Sequence, residues 1–335
     1  MRIGVRRSLA VVAAALMLLP LACQRGPADP DAEISIGVVI KGLDNPFFGA
    51  MRDGIEAKAE ELGVAVQIQA AAGIGDTAGQ VARLEAMAGR GYDCFVVNPI
   101  SQTNLIQPLL PISQRGTPIV NIDSPLGEDA AGQAGLEIQT YIGTDNVAAG
   151  GQGALEMKNA IGSGQVALVG GITGDATSAA RLDGFTAEAD PELEIVQTAA
   201  GDWDRERALT VATDILRGNP DLQGFFAAND VMALGIVQAL RNENRTDVTV
   251  IGVDGIEDAL NAVEDGSLHA TVSQYPFTIG EMGLEACVAA VQAGELPRNV
   301  DAPVQVVTSE NVETALENFP RPVEEYDNPF AELIE

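Results

Sequence analysis

Five strand-like runs in this chain end on an amide or a carboxylate. The residues are Asn45 (beside Asp44), Asn98, Asp123, Asn229 and Asp254. An ionised carboxylate accepts hydrogen bonds from neighbouring hydroxyls, and an asparagine amide both donates and accepts. Arg181 adds a five-donor fork suited to hydroxyl and ring oxygens. Phe47, Phe48 and Trp203 supply aromatic faces able to cover the C–H face of a sugar ring. Together these groups suit a neutral polyhydroxylated ligand; an anion would call for more cations. Taken singly, each Asx has a local explanation, because Asn and Asp cap helices and start turns. Asp145 and Asp230 read as plain N-caps, and Asp44 as a turn residue.

Other chemistries are poorly supplied. His269 is the only histidine, and the three cysteines form no CxxC or Cys/His cluster. A zinc centre and a Ser-His-Asp machine therefore lack parts, and no metal, cofactor or catalytic residue is expected. Asp123 and Asp254 could form a glycosidase pair only if one had a raised pKa, which sequence does not reveal. No GxxxxGK[ST] motif occurs, and the glycine runs at 150–153 and 170–174 lack the rest of a dinucleotide fingerprint. With 19 basic against 48 acidic side chains, a net charge of −29 excludes nucleic acid as a natural partner.

The elements that would position these groups alternate regularly. Strand-like runs at 34–40, 64–69, 93–97 and 118–122 are interleaved with helical patterns at 48–62, 77–90 and 101–115. A polar, Gly-rich passage at 127–139 interrupts the rhythm. It resumes with strands at 140–143, 165–169, 193–197, 223–226 and 248–252 and helices at 145–161, 177–189, 205–217, 230–243 and 256–265. Such βαβ repetition predicts α/β architecture: two similar doubly wound parallel-sheet lobes whose strand ends face a shared cleft. A leftover strand, helix and strand at 269–274, 277–293 and 304–307 would cross between the lobes. The predicted division is 34–144 plus 275–302 for the N-terminal lobe and 145–274 plus 303–317 for the C-terminal lobe. Residues 318–335, without periodicity, read as an acidic tail.

The N-terminus reads as a targeting segment, with Arg2, Arg6 and Arg7 ahead of an apolar stretch from Leu9 to Leu19. Leu19-Pro20-Leu21-Ala22-Cys23 resembles a lipoprotein signal, which would make 1–22 a signal peptide, Cys23 the lipidated residue and 23–33 a tether. Pro20 departs from that pattern, and ordinary cleavage after Ala22 or Ala28 stays open. Cys94 and Cys287 look like small buried hydrophobes, with a bond between them neither required nor precluded.

In order along the chain stand LDNPFF (43–48), NP (98–99), NID (121–123), GTDN (143–146), TSAARLDGF (177–185), DWDR (202–205), ANDVMALG (228–235), VIGVDG (250–255) and ATVSQYP (270–276). This ordered set resembles periplasmic sugar-binding proteins of the ribose-binding type, the receptors of ABC importers. The resemblance implies a periplasmic-binding-protein type I fold with a three-segment hinge, working as a monomer in the periplasm or at the cell surface, with an ABC permease as partner. Its only membrane attachment would be the lipid on Cys23. By the resemblance, sugar contacts fall on Asn45, Phe47, Phe48, Asn98, Asp123, Arg181, Trp203, Arg205, Asn229, Asp254 and Gln274. Ser124 and Val253 replace an arginine and an aromatic of the ribose-binding pattern. That opens the ligand to a hexose, a cyclic polyol such as inositol, or another pentose. A sensor feeding a chemotaxis or kinase receptor is the alternative; a hydrolase or a transcriptional repressor of this fold fits less well.

Overall fold

The computed structural model describes residues 33–292 and 294–334. The expected signal segment, Cys23 and all of the expected tether except Glu33 lie outside them. The first lobe is built from β1 (Ser35–Ile40), α1 (Pro46–Leu62), β2 (Ala65–Ala70), α2 (Thr77–Ala88), β3 (Cys94–Val97), α3 (Ile106–Ser113), β4 (Ile119–Ile122), α4 (Glu128–Ala134) and β5 (Thr140–Gly143). The second contains α5 (Asn146–Ile161), β6 (Gly164–Gly170), α6 (Ala176–Ala189), β7 (Leu193–Ala200), α7 (Arg205–Gly218), β8 (Leu222–Ala227), α8 (Asp230–Glu243), β9 (Thr249–Asp254), α9 (Glu257–Glu264) and β10 (Ala270–Gln274). α10 (Pro276–Val291) and β11 (Asn299–Asp301) return to the first lobe, and β12 (Val304–Thr308) and α11 (Val312–Asn318) to the second.

Each lobe has one six-stranded sheet, ordered β2-β1-β3-β4-β5-β11 and β7-β6-β8-β9-β10-β12. All pairings are parallel except β12 on β10. Strand order reverses beside β1 in one sheet and β6 in the other, so a crevice opens beyond the strand ends at both points. Side-chain alternation splits each core across its sheet. Ile36, Val38 and Ile40 pack toward α1 and α10, whereas Val39 packs with Phe95, Leu84 and Leu109 on the other face. In the second lobe Phe226 faces the α5–α6 side and Phe225 the α7–α8 side.

Three short connections cross between the lobes, after β5, after β10 and after β11. β11 and α11 have no counterpart in the sequence expectation, and two further stretches depart from it. The Gly-rich passage contains α4, started by two acids, Glu128 and Asp129, and closed by Gly135 in the left-handed region. The stretch expected as an acidic tail is a docked strap. After α11 it runs back to the first lobe and buries Phe330 completely in the α1–α10 core, contributing roughly 1.5–3 kcal/mol. α10 is apolar except for two buried acids, and the strap answers both. Arg321 pairs with Glu281 at 2.7 Å, and Asn328 donates to Glu285 at 2.7 Å, with Lys58 at 3.0 Å. One aromatic and two partners for buried charge leave no periodic trace, so the segment looks like a tail in sequence.

Cys94 on β3 and Cys287 on α10 form a buried disulfide. Among the described residues no helix is long and apolar enough to cross a membrane.

Candidate functional site

A cleft of about 500 Å³ lies between the lobes, walled by strand ends of both. On the first-lobe side Asn45 caps α1, its Oδ1 accepting from the Phe47 amide at 2.9 Å, with Pro46 opening the helix. That leaves the Asn45 Nδ2 donor unused by the cap. Phe47 and Phe48 sit edge to face, ring centroids 5.3 Å apart.

Asp123 follows β4 with φ +60°, a left-handed conformation uncommon for side chains other than those of Asn, Asp and His. Its backbone is clamped on both sides: its amide donates to Ile142 O at 2.7 Å, and the Tyr141 hydroxyl donates to its carbonyl at 2.7 Å. Oδ2 accepts from Asn98 Nδ2 at 2.6 Å and Ser124 Oγ at 3.0 Å. Lys41, just past β1, sends Nζ to Ser124 Oγ at 2.6 Å and lies 3.6 Å from Asp123 Oδ2, 5.3 Å from the Phe48 ring centroid.

The second lobe presents a matching pair. Arg181 on α6 is 4% exposed, and its Nε donates to Asn146 Oδ1 at 2.8 Å. Its Nη1 donates to Ala228 O at 2.6 Å and Asp254 Oδ1 at 3.2 Å. Gln274 Nε2 donates to the same Asp254 oxygen at 2.7 Å. Among the described residues Arg181 Nη2 and Asp254 Oδ2 receive no protein partner, and both residues line the cleft. Trp203 is carried by two consecutive left-handed residues, Asp202 (φ +56°) and Trp203 (φ +62°), before Asp204 caps α7. Its indole lies flush on Gly171, where any side chain would overlap it, and 5.9 Å from the Arg181 guanidinium. Asn229 caps α8 through Met232 N at 3.0 Å, again leaving Nδ2 unused by the cap.

Each lobe thus sets one ion pair at the cleft, Lys41 with Asp123 and Arg181 with Asp254; Asp175, which also lines it, caps α6 through Ser178 N at 2.8 Å. Burial lifts the Asp254 carboxyl above the usual carboxylate range; Arg181 opposes this, while the Asp230 and Asp123 charges add to it. Desolvation likewise raises Asp230, against hydrogen bonds from Thr271 and the Ile256 and Gly255 amides.

The structure brings Asn45, Phe47, Phe48, Asp123, Arg181, Trp203, Asn229 and Asp254 to one cleft. Asn98 and Gln274 stand behind it, their side-chain amides donating to Asp123 and Asp254. Arg205 is not in the cleft. Its side chain is half exposed on the outer face of α7, 4.0 Å from Asp258, because the first turn of α7 points it away from Trp203. Asp145 caps α5 as expected, through Ala148 N at 2.9 Å. Asp230 does not cap α8; Asn229 does, and the Asp230 carboxylate turns to the β9–α9 junction. Lys41 was missed. A lysine ending a strand carries no signal by itself, and its partner Ser124 lies 83 residues away.

The sequence matches the periplasmic binding protein domain family over residues 36–296. It is 37% identical over 270 residues to the D-allose-binding periplasmic protein of Escherichia coli, covering 79% of this chain and 87% of that protein. It is 31% identical to the ribose import binding protein RbsB of Bacillus subtilis, covering 90% and 99%. Among solved structures, a periplasmic solute binding protein of an ABC transporter from Actinobacillus succinogenes with bound D-allose superposes with a TM-score of 0.80. It is 31% identical, with 84% of this chain and 100% of that chain covered. One from Bacillus halodurans with bound myo-inositol gives 0.78, at 25% identity, covering 86% and 99%.

Proposed function

Because the chain belongs to the periplasmic binding protein family, we propose that it is the extracytoplasmic receptor of an ABC importer and captures a neutral aldohexose of the D-allose type between its lobes. It is a binding protein and not an enzyme. The observation that carries the ligand reading is the pair of balanced ion pairs facing one cleft, with Phe47 and Phe48 on one side and Trp203 on the other. Carboxylates with unengaged oxygens accept sugar hydroxyls, while Arg181 Nη2, Lys41 and the Asn45 and Asn229 amides donate to them. A neutral ligand leaves both ion pairs intact.

One departure from the ribose-binding pattern has a counterpart in the fold: Lys41, just past β1, supplies the cation that Ser124 lacks and holds that serine's hydroxyl at 2.6 Å. Val253 is wholly buried in the core on the α5–α6 side and does not line the cleft, so the hexose reading is supported by the similarity to D-allose-binding proteins. The lobes, 34–144 with 275–302 and 145–274 with 303–317, act as two bodies that close on the sugar, because a ligand bonded to both favours the closed state. One chain supplies both walls, so a monomer suffices. Lipidation at Cys23 would hold the receptor near its permease.

Trp203 is the only tryptophan, so its fluorescence reports the cleft alone. Titrated with D-allose, D-ribose, myo-inositol and glycerol, the protein should respond most tightly to D-allose. Tighter binding of ribose or myo-inositol would overturn the hexose assignment, and silence toward all four would overturn the sugar reading.

A further inference from the structure

We infer that Asp230 is a positioning residue for ligand capture: it meets no ligand itself, and it holds Asp254 in the strained backbone that aims its carboxylate into the cleft. The inference rests on the sugar reading of the cleft given above. Asp254 has φ +130°, a conformation that a residue with a side chain rarely adopts and keeps only where its surroundings over-determine it. The next residue, Gly255, is also left-handed at φ +73°, and a side chain there would collide with Ser273.

Asp230 supplies the restraint. It is the first residue of α8 and completely buried, yet Asn229 does the capping, which frees its carboxylate to turn sideways. Its Oδ2 accepts from the amides of Gly255 at 2.7 Å and Ile256 at 3.1 Å, the two peptide N–H groups directly after Asp254. Thr271 on β10 fixes the other oxygen, its Oγ1 donating to Oδ1 at 2.8 Å. Thr271 Oγ1 also accepts from Gly255 N at 3.2 Å. Gly252 on β9 has no side chain where the carboxylate lies, since a Cβ there would strike Oδ1. The start of α8, where the helix dipole favours negative charge, is a suitable place for this acceptor.

The clamp faces away from the ligand: Asp230 does not line the cleft, whereas Asp254 does. Without it the Ile256 amide loses its acceptor and the Gly255 amide keeps only its longer bond to Thr271 Oγ1, the 254–256 backbone relaxes toward negative φ, and the Asp254 carboxylate leaves Arg181 and Gln274. An asparagine at 230 preserves the device. Its Oδ1 can accept from both amides, and its Nδ2 can donate to Thr271 Oγ1 once that hydroxyl rotates.

The test is calorimetric titration with D-allose of the full chain carrying Asp230→Ala, Asp230→Asn, and Asp230→Ala combined with Asp254→Ala. Asp230→Ala should weaken binding about 30-fold, the consequence of one buried amide left unsatisfied and a second held only by Thr271, while Asp230→Asn stays within about 3-fold of the parent. In the Asp254→Ala background Asp230→Ala should add almost nothing, because a residue acting through another is non-additive with it. Additive losses, an Asp230→Asn as weak as Asp230→Ala, or an Asp230→Ala that binds like the parent would each overturn the inference. Should Asp230→Ala fail to fold, Thr271→Val replaces it, with a smaller loss that also disappears in the Asp254→Ala background. If the parent ignores D-allose, the ligand reading fails and the clamp is judged by amide exchange. Faster exchange at Gly255 and Ile256 in Asp230→Ala, but not in Asp230→Asn, then supports it, and equal exchange refutes it.

Discussion

Arg181→Ala is expected to abolish measurable sugar binding and to lower the stability of the second lobe by about 3–5 kcal/mol, the usual result of stripping a buried charge of its partner. Arg181 and Asp254 are each almost wholly buried, and they meet at 3.2 Å. Removing the guanidinium leaves Asp254 beside a second buried acid, Asp230, with no cation in contact. It also orphans Ala228 O and Asn146 Oδ1 and takes away the guanidinium near Trp203. Adding Asp254→Asn to Arg181→Ala should restore much of the stability by removing the stranded charge, and none of the binding. Arg181→Lys should rescue poorly, since an ammonium cannot reproduce the three directed bonds of the fork. Thermal unfolding followed in parallel with calorimetry checks all three; an unchanged unfolding midpoint in Arg181→Ala would refute the ion-pair account.

The disulfide should carry the second large effect. Cys94 and Cys287 close a separation of 193 residues, and a chain-entropy argument for so long a loop gives about 5 kcal/mol. The bond pins α10, the helix entered from the second lobe through Tyr275, onto β3 of the first. A disulfide also suits an extracytoplasmic compartment, where thiols are not kept reduced. The doubly substituted Cys94→Ala, Cys287→Ala protein should unfold at markedly lower denaturant while binding sugar normally when folded, because neither cysteine lines the cleft. Equal stability of the two proteins would show that the bond constrains nothing.

The layered α/β architecture was legible because its signal is repeated: most strands are short apolar runs, and six are followed by an Asx residue that caps a helix. Four of the eight cleft residues, Asn45, Asp123, Asn229 and Asp254, were legible for the same reason, whereas Phe47, Phe48, Arg181 and Trp203 stood out by side-chain chemistry and by the ordered motifs they sit in. What escaped depends on distance or on phase. Lys41 becomes notable only once Ser124 and Asp123 are folded against it. Asn229 and Asp230 are adjacent Asx residues, and which of them caps α8 is a difference of one position that composition cannot resolve. Arg205 shares a motif with Trp203, but the left-handed turn at 202–203 and the start of α7 send the two side chains to opposite sides. The strap escaped because its anchors, Arg321, Asn328 and Phe330, answer groups on α10 and not one another.

Capture between two lobes requires an essential carboxylate from each. Calorimetric titration of D-allose into the parent, Asp123→Ala and Asp254→Ala measures that requirement directly. Each substitution should weaken binding by roughly 2–4 kcal/mol, because sugar hydroxyls lose a charged acceptor. Parent-like affinity in either variant would mean that its lobe contributes no such anchor, and the two-lobed account of the cleft would be wrong.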